Sequence, residues 1–292
     1  MASLKEIKNR ITSVKSIWKI TSAMKMVAAA KLHKAQASVE SMLPYQTKLS
    51  GMMSRFLDAD VSFESAYLVS RPVKRVAIVA FSSNSSLCGA FNANVIRQLR
   101  QAIDKYKNLG SENIQIYPIG KKVEEALKKW GYKKFDSYQS MTNKPSYEAS
   151  RQLAAKLMED FVTAEIDTVE LIYYHFKSSG VQTLVQETFL PLHLDAMALK
   201  SEDSETMRIK KDYIVEPSVQ ELITALIPQV LYFKIYTASL DSNASEHAAR
   251  MIAMQVATEN ADELSQDLTI QYNKSRQQTI TNELLDIIGG SM

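Results

Sequence analysis

The stretch from Ser245 to Ile288, SEHAARMIAMQVATENADELSQDLTIQYNKSRQQTITNELLDII, contains neither glycine nor proline. This freedom from helix breakers begins after Pro228 and lasts until Gly289 and Gly290. Roughly 60 residues of unbroken helix rise about 90 Å at about 1.5 Å per residue, several times the width of a small domain. Leu240, Ala244, Ala248, Met251, Ala257, Ala261, Leu264 and Leu268 keep approximate helical phase, and the prominence of alanine predicts a narrow seam that another helix can approach closely.

The other end of the chain supplies a partner. From Met1 to Leu43 there is again no glycine or proline, and Leu4, Ile7, Ile11, Val14 and Trp18 step by three and four, the spacing of a coiled-coil seam. The step continues onto Thr21, Met24 and the small run Ala28, Ala29 and Ala30. Arms at opposite ends of one chain can pair antiparallel. Pro44 is expected to kink the first arm and Gly51 to weaken it, with an end near Leu57 before a polar connection from Asp58 to Pro72.

The formal net charge of +3 conceals an opposition between these arms. Before Leu57, Lys5, Lys8, Arg10, Lys15, Lys19, Lys25, Lys31, Lys34, Lys48 and Arg55 face only Glu6 and Glu40. In the closing arm Glu221, Asp241, Glu246, Glu259, Asp262, Glu263, Asp267, Glu283 and Asp286 outnumber Lys234, Arg250, Lys274 and Arg276. The expectation is mutual attraction, with an acidic partner for any basic face left over. Nucleic acid is disfavoured, because aromatics are scarce among the basic residues. A lone cysteine, Cys88, excludes an internal disulfide, and charges through the first 20 residues exclude a secretory signal. No apolar run approaches the roughly 20 residues of a membrane span.

Between the arms the period changes. Val76 to Ala80 reads as a buried strand, followed by a turn from Ser82 to Gly89 and an amphipathic helix from about Asn92 to Lys107. A strand at Ile114–Ile119, a helix at Lys121–Trp130 and another at Ser146–Val162 follow. Val169–Phe176 and Thr183–Leu190, separated by Ser178, Ser179 and Gly180, read as a hairpin or adjacent strands. Such alternation predicts a small α/β sandwich with a mainly parallel sheet. Lys200 to Lys211 reads as an exposed loop, and the last helix starts after Pro217, near Ser218, with a kink expected at Pro228.

Signals of chemistry are sparse. The turn before Asn92 holds one glycine, Gly89, and no Gly-Lys-Ser/Thr, so neither nucleotide-binding fingerprint is present. Cys88 has no histidine beside it in sequence, and His33, His175, His193 and His247 lack ligand spacing. Glu259, Asp262 and Glu263 read as a solvated helix face, Met24 and Met26 as packing residues, and Arg250 as an exposed charge.

ITSAMKMVAAAKLHKAQ at Ile20–Gln36 and the closing stretch quoted above closely resemble the terminal helices of the γ subunits of F-type ATP synthases. SLCGAFNANV at Ser86–Val95 resembles the segment after that family's first strand, so the resemblance spans essentially the whole chain. It implies an α/β fold class: a long antiparallel coiled coil of the N- and C-terminal helices (1–57 and 217–288) plus a Rossmann-like α/β foot domain (73–199). The implied function is that of a central-stalk rotor shaft, coupling hydrogen ion or other ion transport through a membrane c ring to ATP synthesis or hydrolysis at β subunits. Implied partners are the α and β subunits, the ε subunit and the c ring. No cofactor, metal, catalytic residue, nucleic acid, small-molecule ligand or homo-oligomer is implied.

Matched by motif position, Met24, Lys25 and Arg250 resemble contacts to the lever loop of β. Arg276, Gln277 and Thr281 resemble contacts to its catch region. Leu284, Leu285, Ile287 and Ile288 resemble an apolar bearing tip, and Tyr213 and Glu216 foot contacts to the c ring. Ser83, Asn84, Ser85 and Ser86 replace the family's usual Ser-Asp-Arg-Gly, which removes both charges, and Cys88 alone cannot form the chloroplast redox switch. With no transit peptide ahead of the first helix, a bacterial protein peripheral to the cytoplasmic face of the membrane is expected. Two other readings are a nucleotide-dependent α/β enzyme with helical arms and a homodimeric coiled-coil scaffold.

Overall fold

The computed structural model describes residues 3–57, 65–132, 135–192, 215–216 and 218–290. The expected loop from Lys200 to Lys211, the first part of the connection after Leu57, His193, Tyr213 and Pro217 lie outside the described residues.

Helix α1 spans Leu4–Leu57 and the closing helix, α6, spans Val219–Gly289. Each starts at a serine whose hydroxyl accepts a backbone N–H from the residue three positions on. Glu6 N–H donates to Ser3 Oγ (3.2 Å), and Glu221 N–H to Ser218 Oγ (3.2 Å). These are the Ser-x-x-Glu starts of capped helices. Both helices continue past their internal prolines, Pro44 and Pro228. Each proline lacks an N–H, so the carbonyls of Glu40 and Thr224 lose their intrahelical donor.

Between them run β1 (Val76–Phe81), α2 (Phe91–Lys105), β2 (Ile114–Ile119), α3 (Lys121–Lys129), α4 (Gln139–Asn143), α5 (Tyr147–Val162), β3 (Thr168–Phe176) and β4 (Gln182–Leu190). The sheet order is β2-β1-β3-β4. β1 pairs parallel with β2 and β3, while β4 returns antiparallel to β3, which settles the last two strands as a hairpin. Helix α4, one short turn of Gln139–Asn143, was not foreseen from periodicity. A segment that brief carries no readable repeat.

All six residues of β1 are buried, which is why it reads as a continuous apolar run. Ala77, Val79 and Phe81 point to one face, joined by Leu171 and Tyr173 of β3, Leu157 and Phe161 of α5, and Leu49 and Met53 of α1. From α6, Ile223, Ile227, Leu231 and Ile235 enter the same core at spacings of four, a single ridge along the helix. Val76, Ile78 and Ala80 face the opposite core with Val95 and Leu99 of α2 and Val123 and Leu127 of α3. The membrane-span expectation needs amending, because α6 contains an 18-residue window of mean hydropathy 1.2, 39% of it buried. The ridge of isoleucine and leucine under the sheet gives the start of α6 that apolar character.

The chain divides into two units, Met1–Lys31 with Arg250–Met292, and Leu32–Ala249. Each long helix therefore contributes to both.

The amino ends of β1 and β3 are tied by one carboxylate. Lys74 N–H and Arg75 N–H donate to Asp167 Oδ2 at 2.9 Å each, Asp167 N–H returns a bond to Arg75 O (2.9 Å), and Arg71 Nε lies 3.7 Å from Oδ1. Burial alone pushes the Asp167 carboxyl up, but the backbone bonds and the Arg71 charge outweigh it and hold it below the usual carboxylate value. A carboxyl lowered by folding stabilises the native state above about pH 4, and that contribution disappears as pH falls through the lowered value. Asp167→Asn is therefore expected to lose about 2 kcal/mol at pH 7 and to flatten the loss of stability below about pH 4, measured by urea unfolding across pH.

Candidate interaction surface

In the unit formed by the start of α1 and the end of α6, the buried and half-buried positions follow a heptad on both helices. On α1 they are Leu4, Ile7, Ile11, Val14, Thr21, Lys25 and Ala28, with Trp18 in phase but 40% exposed. On α6 they are Met251, Met254, Thr258, Ala261, Ser265, Leu268, Tyr272, Ser275 and Thr279. Val14 packs with Ala261 and Leu268 beside Ile11, and Thr258 Oγ1 lies within hydrogen-bond distance of Thr21 Oγ1, at 2.9 Å. As numbers rise along α1 they fall along α6, so the pair is antiparallel.

The seam differs from the sequence expectation after Met251. Leu264, expected on it, is 49% exposed, and Ser265 and Thr258 take seam positions instead. Steps of three and four must alternate for two straight helices to stay in contact, and that phase favours small polar residues here over Leu264. The expected electrostatic attraction also takes a different form. Among the described residues, none of Lys5, Lys8, Arg10, Lys15, Lys19, Lys25, Lys31 and Lys34 forms an ion pair. Apolar packing and the Thr258–Thr21 contact lie between the arms, and the basic residues of this part of α1 other than Lys25 are exposed.

The structure places the expected contact residues unevenly. Met24 and Lys25 are half-buried along the seam, and Arg250 is half-buried on α6. The register through Thr21 and Thr258 sets Arg250 about one helical turn from Lys25 along the coil. Arg276, Gln277 and Thr281 are exposed, with Thr281 Oγ1 donating only to Gln277 O of its own helix (2.9 Å). In the same register α1 ends opposite Ser275, so the last turns of α6 have no partner helix among the described residues. Hence Leu284, Leu285, Ile287 and Ile288 are 55%, 60%, 68% and 59% exposed. Glu216 is exposed, and Tyr213 lies outside the described residues.

Sequence reading missed a second group. Ile17, Ile20, Met26 and Val27 on α1 and Val256 and Ile270 on α6 are about half exposed or more. Counting heptad phase strictly along both helices would have shown them off the seam. Apolar side chains in such number outside a core mark surface that other polypeptides cover.

The sheet offers no ligand crevice. Doubly wound sheets bind ligands beyond the carboxyl ends of their parallel strands. Here that space is occupied by α6: Ser245 Oγ donates to Tyr174 O (3.5 Å), Asn243 Nδ2 to Thr142 O (2.8 Å), and Asp241 Oδ2 lies 2.6 Å from His175 Nδ1. The turn from Ser82 to Gly89 spends its polar groups on itself and its neighbours. Lys121 N–H donates to Asn84 Oδ1 (2.9 Å), Asn84 Nδ2 donates to Gln139 O (2.9 Å), and Asn92 Nδ2 lies 3.0 Å from Cys88 Sγ. Gly120, φ 106°, lets the backbone come so close that an added Cβ would sit 2.2 Å from Ser82 O. Cys88 is buried, and no group of three metal-ligating side chains occurs among the described residues.

A heptad coil whose exposed apolar end has no partner helix among the described residues, exposed apolar flanks and a sandwich sealed by its own helix define a subunit-type protein, with surface for other chains to cover. A family model described as ATP synthase matches residues 3–292. The ATP synthase gamma chain of Bacteroides fragilis (strain ATCC 25285) is 62% identical over 292 residues, covering 100% of both chains. That of Bacteroides thetaiotaomicron is 60% identical over 297 residues, again covering both completely. A solved structure of the Euglena gracilis mitochondrial ATP synthase, OSCP/F1/c-ring, rotational state 3, contains a chain with the same fold (TM-score 0.65, 23% identity, 98% of this chain and 92% of that one). The chain belongs to the ATP synthase gamma chain family. Neither a homodimeric scaffold nor a nucleotide-binding enzyme finds support in these likenesses.

Leu268 and Leu264 make a controlled pair, four residues apart on one helix. Leu268→Ala is expected to cost about 2–3 kcal/mol of coil stability, and Leu264→Ala less than about 0.5 kcal/mol. Hydrogen exchange of the α6 amides would read both, and equal protection losses would contradict the seam assignment.

Proposed function

We propose that this chain is the central-stalk rotor shaft of a bacterial F-type ATP synthase, peripheral to the cytoplasmic face of the membrane and itself non-catalytic. The observation that carries this reading is 62% identity to an ATP synthase gamma chain over the full length of both proteins. In it, 1–57 and 217–288 are the helical arms, and 73–199 is the foot beside the ε subunit and c ring, with Tyr213 and Glu216 as foot contacts. The end of α6 enters the hexamer of α and β subunits.

The mechanism follows from the coil having different sides. One sector presents α1 lysines and exposed Ile17, Ile20, Met26 and Val27, and another presents exposed Glu259, Asp262, Glu263 and Asp267 of α6. Three identical β subunits around it meet three different surfaces, so each is biased toward a different conformation. Switching one β subunit from 1:99 to 99:1 between two states takes about 5.5 kcal/mol of differential contact free energy. At about 25 cal/mol per Å², roughly 220 Å² of apolar burial supplies that, the yield of two or three of these exposed side chains. Turning the shaft by ion flow, or by ATP hydrolysis in reverse, moves each surface to the next β subunit.

Within this scheme Met24, Lys25 and Arg250 contact the lever loop of β, and Arg276, Gln277 and Thr281 hydrogen-bond its catch region. Leu284, Leu285, Ile287 and Ile288 form the bearing. An uncharged tip suits that role, because it makes no directional bond that must break on every turn.

Reconstitution with α and β subunits tests the reading. One copy of the chain is expected per α–β hexamer, with no turnover by the chain alone; ATP hydrolysis by the purified chain would overturn the proposal. Deleting residues from Leu284 onward should lower complex stability and torque while leaving residual hydrolysis. Arg250→Ala should reduce coupling of hydrolysis to ion pumping by roughly threefold to tenfold, in line with about 1 kcal/mol of lost contact, with nucleotide Kd unchanged. An altered Kd with normal coupling would remove Arg250 from the lever contact.

A further inference from the structure

Two pairs of side chains hold α6 along the hairpin of β3 and β4. Leu171, Tyr173 and His175 alternate onto one face of β3, and their partners across β4 are Glu187, Val185 and Thr183. Lys234, Ala238 and Asp241 are spaced by four and three along α6, so they share one side of that helix. Seven helical residues rise about 10 Å and four strand residues span about 13 Å, so the two rows keep step. At one end Lys234 Nζ lies 3.8 Å from Glu187 Oε1 and donates to Thr188 O (3.1 Å). At the other, Asp241 Oδ2 lies 2.6 Å from His175 Nδ1. Between them Tyr173 donates its hydroxyl to Glu187 Oε1 (3.0 Å).

One of these pairs can be switched near neutral pH. Lysine ordinarily titrates at about 10 and a carboxyl at about 4, whereas an imidazole titrates at about 6.5. The Asp241 side chain is 14% exposed and that of His175 47%, so the anion is held inside while the ring exchanges its proton with solvent. A neutral ring keeps a hydrogen bond to this carboxylate, and a protonated ring adds a charge attraction that water screens incompletely. The charged and titratable groups along this face are Asp241 and Lys234 from α6, Glu187 from β4, Tyr173 from β3 and Lys177 just past its end. Burial, then Glu187, then Asp241 push the Tyr173 phenol up, so it stays neutral and takes no part in the exchange. Folding sets the His175 ring against an anion, which favours its charged form. The stabilisation is therefore complete below about pH 6.5 while Asp241 is ionised, and it fades as pH rises through the ring's value in the folded chain.

We propose that His175 and Asp241 form a pH-sensitive latch, in which protonation of the His175 ring tightens the seat of α6 on the β3–β4 hairpin and deprotonation loosens it. The Lys234–Glu187 pair keeps its charges across the same pH range and holds the other end of the row, so the helix is eased at Asp241 and not released. Beyond Asp241 the helix runs on without interruption to Gly289, so the latch sets how firmly its base is anchored. The contacts all lie within residues 32–249, and the latch works whether or not the chain turns inside a complex.

The test uses the full chain, as purified and in its assembled complex. With the histidine rings isotope-labelled, the His175 resonance should titrate at least about half a pH unit higher in the natural chain than in Asp241→Asn, which keeps a hydrogen-bonding side chain without the charge. Equal midpoints overturn the proposal. Hydrogen exchange, corrected for the intrinsic effect of pH, should show protection of the amides at 238–245 falling roughly threefold between about pH 6 and about pH 8. Over the same interval Tm should drop by about 1–3 °C more than it does in His175→Gln. Protection and Tm that change with pH equally in the natural chain and in His175→Gln would also overturn it. His33, His193 and His247 are the other histidines of the chain. Replacing each by glutamine should leave the pH step in place, and a step that disappears with one of them while surviving His175→Gln assigns the effect there and sinks the latch. Should a variant at His175 fail to fold, the ring titration in Asp241→Asn still decides.

Discussion

Two helices without internal breakers must remain in contact while each also serves a second core, and the heptad seam through Val14, Ala261 and Leu268 is what makes the first task possible. Ala261 is small and Val14 and Ile11 are β-branched where they meet Leu268, so the helices can approach closely with little side-chain entropy lost. The Thr21–Thr258 hydroxyl contact is a polar link across this seam. A polar pair at a seam position costs stability but penalises a slip by one heptad, which would set a threonine hydroxyl against an apolar side chain. Nearer the sheet the same helices switch from a seam of threes and fours to a ridge of fours, as Ile223, Ile227, Leu231 and Ile235 do, because a flat sheet offers a wider surface than a neighbouring helix.

Charge plays a different part from packing. Opposite net charges on the arms suggest a coil held by ion pairs, yet exposed pairs contribute only about 0–1 kcal/mol each, and among the described residues none forms with the α1 lysines of the coil. Lys25 shows how both demands meet in one residue. Its stem occupies a seam position, and an ammonium on a four-carbon stem can reach past the seam to an outside partner. The charge asymmetry therefore describes how the coil looks to its surroundings more than what holds it together.

Most of the architecture was legible because it is written in periodicity. The apolar run of β1, the strand at Ile114–Ile119 and the absence of breakers in both arms each announce an element directly. Leu264 misled for a physical reason, since an approximate helical phase of 3.6 drifts from the 3.5 that a coil enforces, and over three turns a leucine can leave the seam. The exposed group around Met26 and Val27 was masked by composition, because a methionine and a valine in a helix resemble core until a partner helix defines which side is inside. Helix α4 and the tie through Asp167 were illegible: one is too short for a repeat, and the other joins residues about 90 positions apart.

The sealed strand ends and the open apolar tip are two answers to one problem. A doubly wound sandwich has a natural ligand site, and closing it with a helix adds rigidity to the fold. Ser245, Asn243 and Asp241 of α6 do so with bonds to the ends of β3 and to α4. The opposite choice is made at Leu284–Ile288, where four large apolar side chains stay exposed although a charged end would be more soluble. In the proposed rotor role another surface covers these side chains. That surface must be smooth and apolar in turn, since any polar group it presented would find no partner on this tip and would lose its water without compensation.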